Sequence, residues 1–295
     1  MKKLLLLMAL FIAPTVFFAQ DAEEAETPKE GWTRGGNAAL TFNQSAFNEE
    51  WTGGGIGNLS ANLLINYDMN LLKGDVIWDN KLIADYGVNK NYGDDSFTKS
   101  NDRIELNSLA GKKAWGEYWF YSAYLNAKTQ MDRGADGGTH FFSPAYFQGG
   151  PGLLWKKSDN LNVNISPAAA KLIVVHSEYT EVGNNQGVID AFNQAGGYFG
   201  VDANASTRFE VGAALRGYYK LDVMKNISME NILALYSNYL EDPQNVDLDY
   251  TMNLVMSINK YISANFVFQT IYDDNANRNG FQVREAFGIG VNATF

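Results

Sequence analysis

The sequence predicts an all-β fold, a transmembrane antiparallel up-and-down β-barrel of about twelve strands, built like the even-numbered barrels of outer membranes. Three observations predict it. Segments near ten residues long alternate apolar with polar residues, the links between them alternate short with long, and the last segment ends on an aromatic residue. A membrane strand needs one greasy face and one wet one, so its pattern repeats every two residues rather than every 3.6.

The first residues come before any strand. Lys2 and Lys3 precede an apolar run from Leu4 to Phe18 and the small Ala19, which is the form of a secretory signal. The run is too short and too close to its basic start to act as a spanning helix. Residues 1–19 are therefore assigned as a signal peptide, 20–34 as a short acidic, disordered periplasmic leader, and 35–295 as the barrel. Removing Lys2 and Lys3 from 23 basic residues leaves 21 against 33 acidic ones, a net −12. That balance excludes a nucleic-acid partner, which would need a basic face. With no cysteine, neither a lipid anchor nor a disulfide is available. A closed sheet supplies stability in their place, because each backbone donor and acceptor finds a neighbour.

The clearest strand signal lies at 57–70. Leu59, Ala61, Leu63, Ile65, Tyr67 and Met69 take one face, and Asn58, Ser60, Asn62, Asn66, Asp68 and Asn70 the other. A helix would scatter both sets around its circumference. Residues 246–259 repeat the pattern, with Val246, Leu248, Tyr250, Met252 and Leu254 against Asp247, Asp249, Thr251 and Asn253. The same alternation predicts strands at 36–44, 76–87, 102–112, 118–130, 145–155, 161–175, 207–221, 227–239, 262–272 and 281–295. The two flanking 156–160 are the least regular, and a bulge is expected near Pro151 or Pro167. Links at 70–75, 113–117, 156–160, 222–226 and 259–261 are short, and those at 45–56, 88–101, 131–144, 176–206, 240–245 and 273–280 longer. Periplasmic turns and extracellular loops sort this way in outer-membrane barrels. In the last strand Phe287, Ile289, Val291, Ala293 and Phe295 alternate with glycine and polar residues. Phe287, Ile289, Val291 and Phe295 are the candidate C-terminal signal for the outer-membrane insertion machinery.

Ser143-Pro144-Ala145-Tyr146, Gly150-Pro151-Gly152, Ser166-Pro167 with Lys171, Phe199-Gly200-Val201, Phe209-Glu210-Val211-Gly212-Ala213, Pro243-Gln244-Asn245-Val246-Asp247, Asn259-Lys260-Tyr261-Ile262, Tyr272-Asp273-Asp274 and Gly288-Ile289-Gly290 occur in this order along the chain. That order resembles an uncharacterised family of Bacteroidota-type outer-membrane proteins, a domain of unknown function (DUF3078-like). The resemblance implies an outer-membrane barrel and carries over no functional residue.

Strand parity turns a charged set inward. Its positive members are Lys81, Arg103, Lys128, Arg208, Arg216, Lys220 and Arg284, and its negative members Asp79, Asp85, Glu105, Glu210, Glu230, Asp247 and Asp249. A dehydrated lone charge costs several kcal/mol, so these groups must be paired or hydrated. Interlocked signs would fill the barrel, whereas segregated signs would line a polar pore with a transverse field. Tyr118, Phe120 and Tyr124 also point inward by parity. Glu285 falls on the lipid-facing side and is expected at the extracellular rim, where a carboxylate costs little.

The sequence carries no complete catalytic or metal-binding pattern. His176 and Ser177 are adjacent on an extended segment, so their side chains diverge and cannot pair as a hydrolase would require. His176 and His140 are expected to be loop residues. Asn275, Asn277, Asn279 and Gly280 match four places of a calcium loop, but Ala286 stands where the bidentate glutamate belongs. Gly53-Gly54-Gly55 lacks a strand-to-helix setting. No enzyme activity, catalytic residue, metal or cofactor is expected.

Three functions follow for the outer membrane of a diderm bacterium. The first is a porin-like passive channel for small hydrophilic solutes. The second is a non-conducting structural or assembly subunit of a larger outer-membrane complex, meeting protein partners through residues 88–101 and 176–206. The third and most remote is an outer-leaflet hydrolase. The partners expected are outer-membrane lipid, the insertion machinery during biogenesis, and protein partners in such a complex.

Overall fold

Twelve antiparallel strands follow one another around a closed sheet in the computed structural model, which describes residues 30–48, 56–134, 138–273 and 280–295. They are β1 (Gly31–Ser45), β2 (Asn58–Lys73), β3 (Val76–Asn91), β4 (Thr98–Lys113), β5 (Trp119–Thr129), β6 (Ala145–Ser158), β7 (Leu161–Val174), β8 (Thr207–Met224), β9 (Ile227–Asn238), β10 (Asp247–Ser257), β11 (Ile262–Tyr272) and β12 (Gln282–Thr294). β1 pairs with both β2 and β12, with Asn37 opposite Thr294 and Phe42 opposite Ile289, so the ring has no free edge. The strands run 11 to 18 residues, enough for the ~9–11 that a tilted strand needs to cross a bilayer. Among the described residues no helix is long and apolar enough to cross one.

Short turns gather at one end of the barrel and longer loops at the other, in the alternation the sequence predicts. Several strand boundaries differ from expectation. β1 begins at Gly31, inside the segment assigned to the leader, because residues 31–35 pair with the end of β2 and Glu30 Oε1 accepts from Gly74 N at 3.0 Å. β3 and β4 also run into the expected loop at 88–101, pairing to Asn89 and Thr98 across an irregularity at Gly87/Val88. The signal peptide, most of the leader, Gly53-Gly54-Gly55, Asn275, Asn277 and Asn279 lie outside the described residues.

The outward face is apolar, with Phe287, Ile289 and Val291 each more than half exposed. Glu285 shares that exposed side with Val283 and Phe287. Aromatic rings gather near the two ends. Trp32 packs on Trp78 and Trp115 on Trp119 towards the turns, while Phe141 meets Phe142 and Tyr272 meets Phe281 towards the loops. Interfacial girdles of this kind flank the apolar band of membrane barrels, since such rings are half greasy and half polar.

The expected bulge lies in β7. Between Ile165 and Ala170 that strand spends five steps against four in β6, from Leu153 to Gly149. Against β8 it spends three, Ser166 to Ala169, where β8 spends two. One extra residue at Pro167–Ala168 therefore exchanges the faces of the strand. Asn164 and Ser166 are buried before it, and Ala169, Lys171 and Ile173 after it. Gly150 and Gly152 face this kink, and a Cβ at Gly152 would stand 2.4 Å from the Ile165 carbonyl oxygen.

The loop at 175–206 carries more structure than its sequence suggests. A single 3₁₀ turn (Ser177–Tyr179) leads into α1 (Gln186–Gln194), whose cap Asn185 accepts from the Gly187 and Val188 N–H groups. Val201 then tucks beneath, fully buried against Ile173 and Val175.

Candidate functional site: the barrel lumen

The lumen holds a cavity of about 1780 Å³. Asn160, Asn226 and Asn259 line it at the turn end, and Asn89, Gln130, Thr139 and Asp273 at the loop end. It is therefore one space reaching towards both mouths.

The barrel interior carries three tiers of charge. Nearest the turns, Lys81 Nζ lies 3.1 Å from Glu230 and 3.7 Å from Asp68. Tyr218 Oη and Asn253 Nδ2 each donate to Glu230 at 2.9 Å. Lys156 sits between Asp79 at 2.6 Å and Asp159 at 2.8 Å. In the middle, Glu105 accepts from Asn126 at 2.7 Å and faces Arg103 at 3.6 Å and Arg216 at 3.7 Å. Asp85 meets Arg284 at 3.5 Å. Towards the loops, Lys128 pairs with Asp249 at 3.1 Å, and Lys171 stands among Asp247 at 3.1 Å, Glu210 at 3.6 Å and Asp273 at 3.8 Å. Arg208 closes this tier, 2.7 Å from Glu210 and bonded to Glu241. Lys220 lines the cavity.

The pairing matches neither simple expectation. Lys81 on β3 and Glu230 on β9 come from diametrically opposite strands of the ring, and Lys128 on β5 and Asp249 on β10 from nearly opposite ones. Cations of β3, β5 and β7 thus meet anions of β9 and β10, as a transverse field requires, but the partners touch rather than stand apart. Asp79 with Lys156 and Asp85 with Arg284 reverse the order. The signs are interlocked, yet they do not fill the space. Of the three expected inward rings, Tyr124 lines the cavity. Tyr118 instead sits edge-on to Trp155, and Phe120 lies beneath Lys113.

Sequence reasoning missed Asp68, Lys156, Lys171 and Asp273. Asp68 stands on the polar face of 57–70 and was legible there. Lys156 fell within an expected turn that β6 overruns. Lys171 was hidden because parity counted straight through Pro167 turns it outward.

The loop end has groups of its own. Asp132 accepts from the Arg133 backbone N–H at 2.7 Å and from Tyr86 Oη at 3.1 Å, and these bonds hold its carboxyl below the usual value. The two histidines, expected as separate loop residues, come together with ring centroids 4.9 Å apart. His176 Nδ1 accepts from the Glu178 backbone N–H rather than from a hydroxyl.

No curated relative matches the chain. Among solved structures, the COG4313 outer membrane channel from Pseudomonas putida F1 aligns at 10% identity over 93% of this chain and 98% of its own, with a TM-score of 0.39. The translocator domain of the autotransporter NalP from Neisseria meningitidis aligns at 10% identity over 91% and 90%, with a TM-score of 0.35. A Rhodopseudomonas blastica porin triple mutant aligns at 10% identity over 90% and 100%, with a TM-score of 0.26. Likeness at this level carries no argument about function. Residues 42–134, from within β1 to the loop after β5, match the family described as Protein of unknown function (DUF3078), and the motifs from Ser143 onward lie beyond that stretch.

Proposed function

We propose that this barrel sits in the outer membrane of a diderm bacterium as a non-enzymatic, porin-like passive channel for small hydrophilic solutes. The observation that carries the proposal is the cavity of about 1780 Å³ lined by residues from both ends of the barrel. Paired charges on its wall leave no dominant sign, so discrimination rests on size more than on charge. The solute passes beside the Lys81–Glu230 and Lys128–Asp249 pairs, which narrow the path without contributing net charge. The apolar outer face and its girdles meet lipid.

Purified protein in planar bilayers is expected to give discrete conductance steps. Lys81→Ala with Glu230→Ala together should enlarge each step by clearing a pair that spans the lumen. A silent bilayer in both proteins overturns the channel reading. The cross-lumen pairs are also what favours the second reading, a closed barrel serving as a subunit of a larger complex. That reading expects silent parent protein, conductance only in the double variant, and stoichiometric partners after gentle extraction.

A further inference from the structure

We propose that His140, His176 and Glu178 form a binding site for a divalent transition ion of the zinc class on the loop end of the barrel. The chain has only two histidines, on different loops, yet their rings meet at 4.9 Å and an interplanar angle of 67°. One donor atom from each of the three residues lies within 4.8 Å of the other two.

The loops that carry them are clipped together beside the site. His140 and Ser143 exchange backbone hydrogen bonds at 3.0 and 2.9 Å, and the fully buried Ser143 accepts from the His176 N–H through Oγ at 2.9 Å. Gln130 ties the same turn down by donating to the Ser143 carbonyl at 2.8 Å. The ligands are thus brought close by built contacts rather than by chance encounter.

The hydrogen-bond chemistry leaves a place for a cation. His140 Nδ1 is 2.7 Å from the Phe141 carbonyl oxygen, which can only accept, so the proton sits on Nδ1. In the neutral ring Nε2 is then a bare lone pair, and it points at Glu178 Oε1 from 3.3 Å. Two acceptors facing each other call for a positive charge between them. A carbonyl fixing the far nitrogen is also the arrangement that orients metal-bound imidazole. Zinc bonds of about 2.0–2.2 Å set tetrahedral ligands roughly 3.4 Å apart, close to that 3.3 Å spacing. His176 Nδ1 lies 4.0 Å from the same oxygen on a side chain 54% exposed, so a swing that gives up its 3.3 Å bond from the Glu178 N–H brings it in. Arg133, 3.5 Å from Glu178 and 60% exposed, occupies part of this charge and would be displaced outward. Two imidazoles and one carboxylate suit zinc, copper or nickel over magnesium or calcium, and leave a coordination position open to solvent.

The test is cobalt and zinc titration of the untagged, detergent-folded full barrel. One Co²⁺ per chain is expected, with visible ligand-field absorption of a four- or five-coordinate site, lost on adding Zn²⁺ and unaffected by excess Ca²⁺. His140→Ala, His176→Ala and Glu178→Gln should each weaken binding by at least the ~10–100-fold seen when a mere supporting residue of a metal site is removed. All three positions lie outside the strands, so heat-modifiable gel migration of each variant should stay that of the parent. Absent absorption, or uptake that is equal in the parent and the His140→Ala, His176→Ala double variant, overturns the site and leaves an ordinary imidazole–carboxylate contact. Neither outcome depends on whether the lumen conducts.

Discussion

Lys171 is the most demanding charge in the barrel, and replacing it by methionine tests the pairing directly. Its side chain is 9% exposed and holds three carboxylates, of which Glu210 is only 1% exposed. Removing one partner of a buried ion pair costs about 3–5 kcal/mol, because the other charge is left uncompensated. Here Glu210 keeps Arg208 at 2.7 Å, so the group left without its cation is Asp247, 19% exposed beside a polar cavity. The ammonium also leaves the face of Tyr236, 5.1 Å away. These features put Lys171→Met at the lower end, about 3 kcal/mol, or roughly two decades in the folding equilibrium. Lys81→Met is the internal standard. Glu230 there retains its bonds from Tyr218 and Asn253, and Lys81 is 22% exposed, so the loss should be about 1–2 kcal/mol, between buried and surface pairs. Urea unfolding of the lipid-bound barrel, followed by its six tryptophans, measures both. A Lys171→Met protein within about 0.5 kcal/mol of the parent, the scatter of an ordinary surface change, or one more stable than Lys81→Met, would refute the view that burial ranks these pairs.

Two further expectations test the bulge and the loop end. Gly152→Val drives a Cβ into the Ile165 carbonyl and the Ser166 hydroxyl, at 2.4 and 2.5 Å; it should cost about 1–3 kcal/mol in the same urea assay, whereas a neutral result would mean that the bulged strand does not lie so close. Asp132 has a folded-state pKa depressed below its ordinary 3.8 by the Arg133 N–H and the Tyr86 hydroxyl. Its contribution is therefore complete above pH 3.8 and lost as pH falls through the lower folded value. Carboxyl-carbon NMR in micelles should place the Asp132 midpoint below 3.8, and Tyr86→Phe should raise it; an unmoved midpoint in that variant discounts the Tyr86 bond.

How much of this could be seen in the sequence depends on how far each rule reaches. Parity is a local rule, and it holds wherever pairing is unbroken. β10 runs from Asp247 to Ser257 against its two neighbours without a register shift, so Asp247 and Asp249 were legible as inward residues from alternation alone. Partner choice is not local. Lys81 and Glu230 meet across the ring because strand tilt and stagger set their heights, quantities that sum over every turn and bulge in the barrel. The helix α1 was legible in principle, since Asn185 precedes Val188, Ile189 and Phe192 at helical spacing. The meeting of His140 and His176 was not, because it rests on a contact between Ser143 and His176 that belongs to neither strand pattern.

Pro167 sits where the local and global rules collide. Proline withholds a ladder hydrogen bond, so a bulge there could be expected, and the extra residue duly appears in β7. Its consequence is larger than a kink. Without it, the parity set by Asn164 and Ser166 would carry Lys171 to the outer face, where a lysine at mid-membrane depth costs about 2–4 kcal/mol and near the rim up to about 1. With it, the same lysine turns inward onto Asp247, Glu210 and Asp273. The glycines at 150 and 152 are the necessary counterpart, since only a strand without side chains can lie against the displaced carbonyls of residues 165 and 168. A single inserted residue thus decides whether Lys171 joins the loop-side tier of charge, which is why that lysine was hidden in the chain.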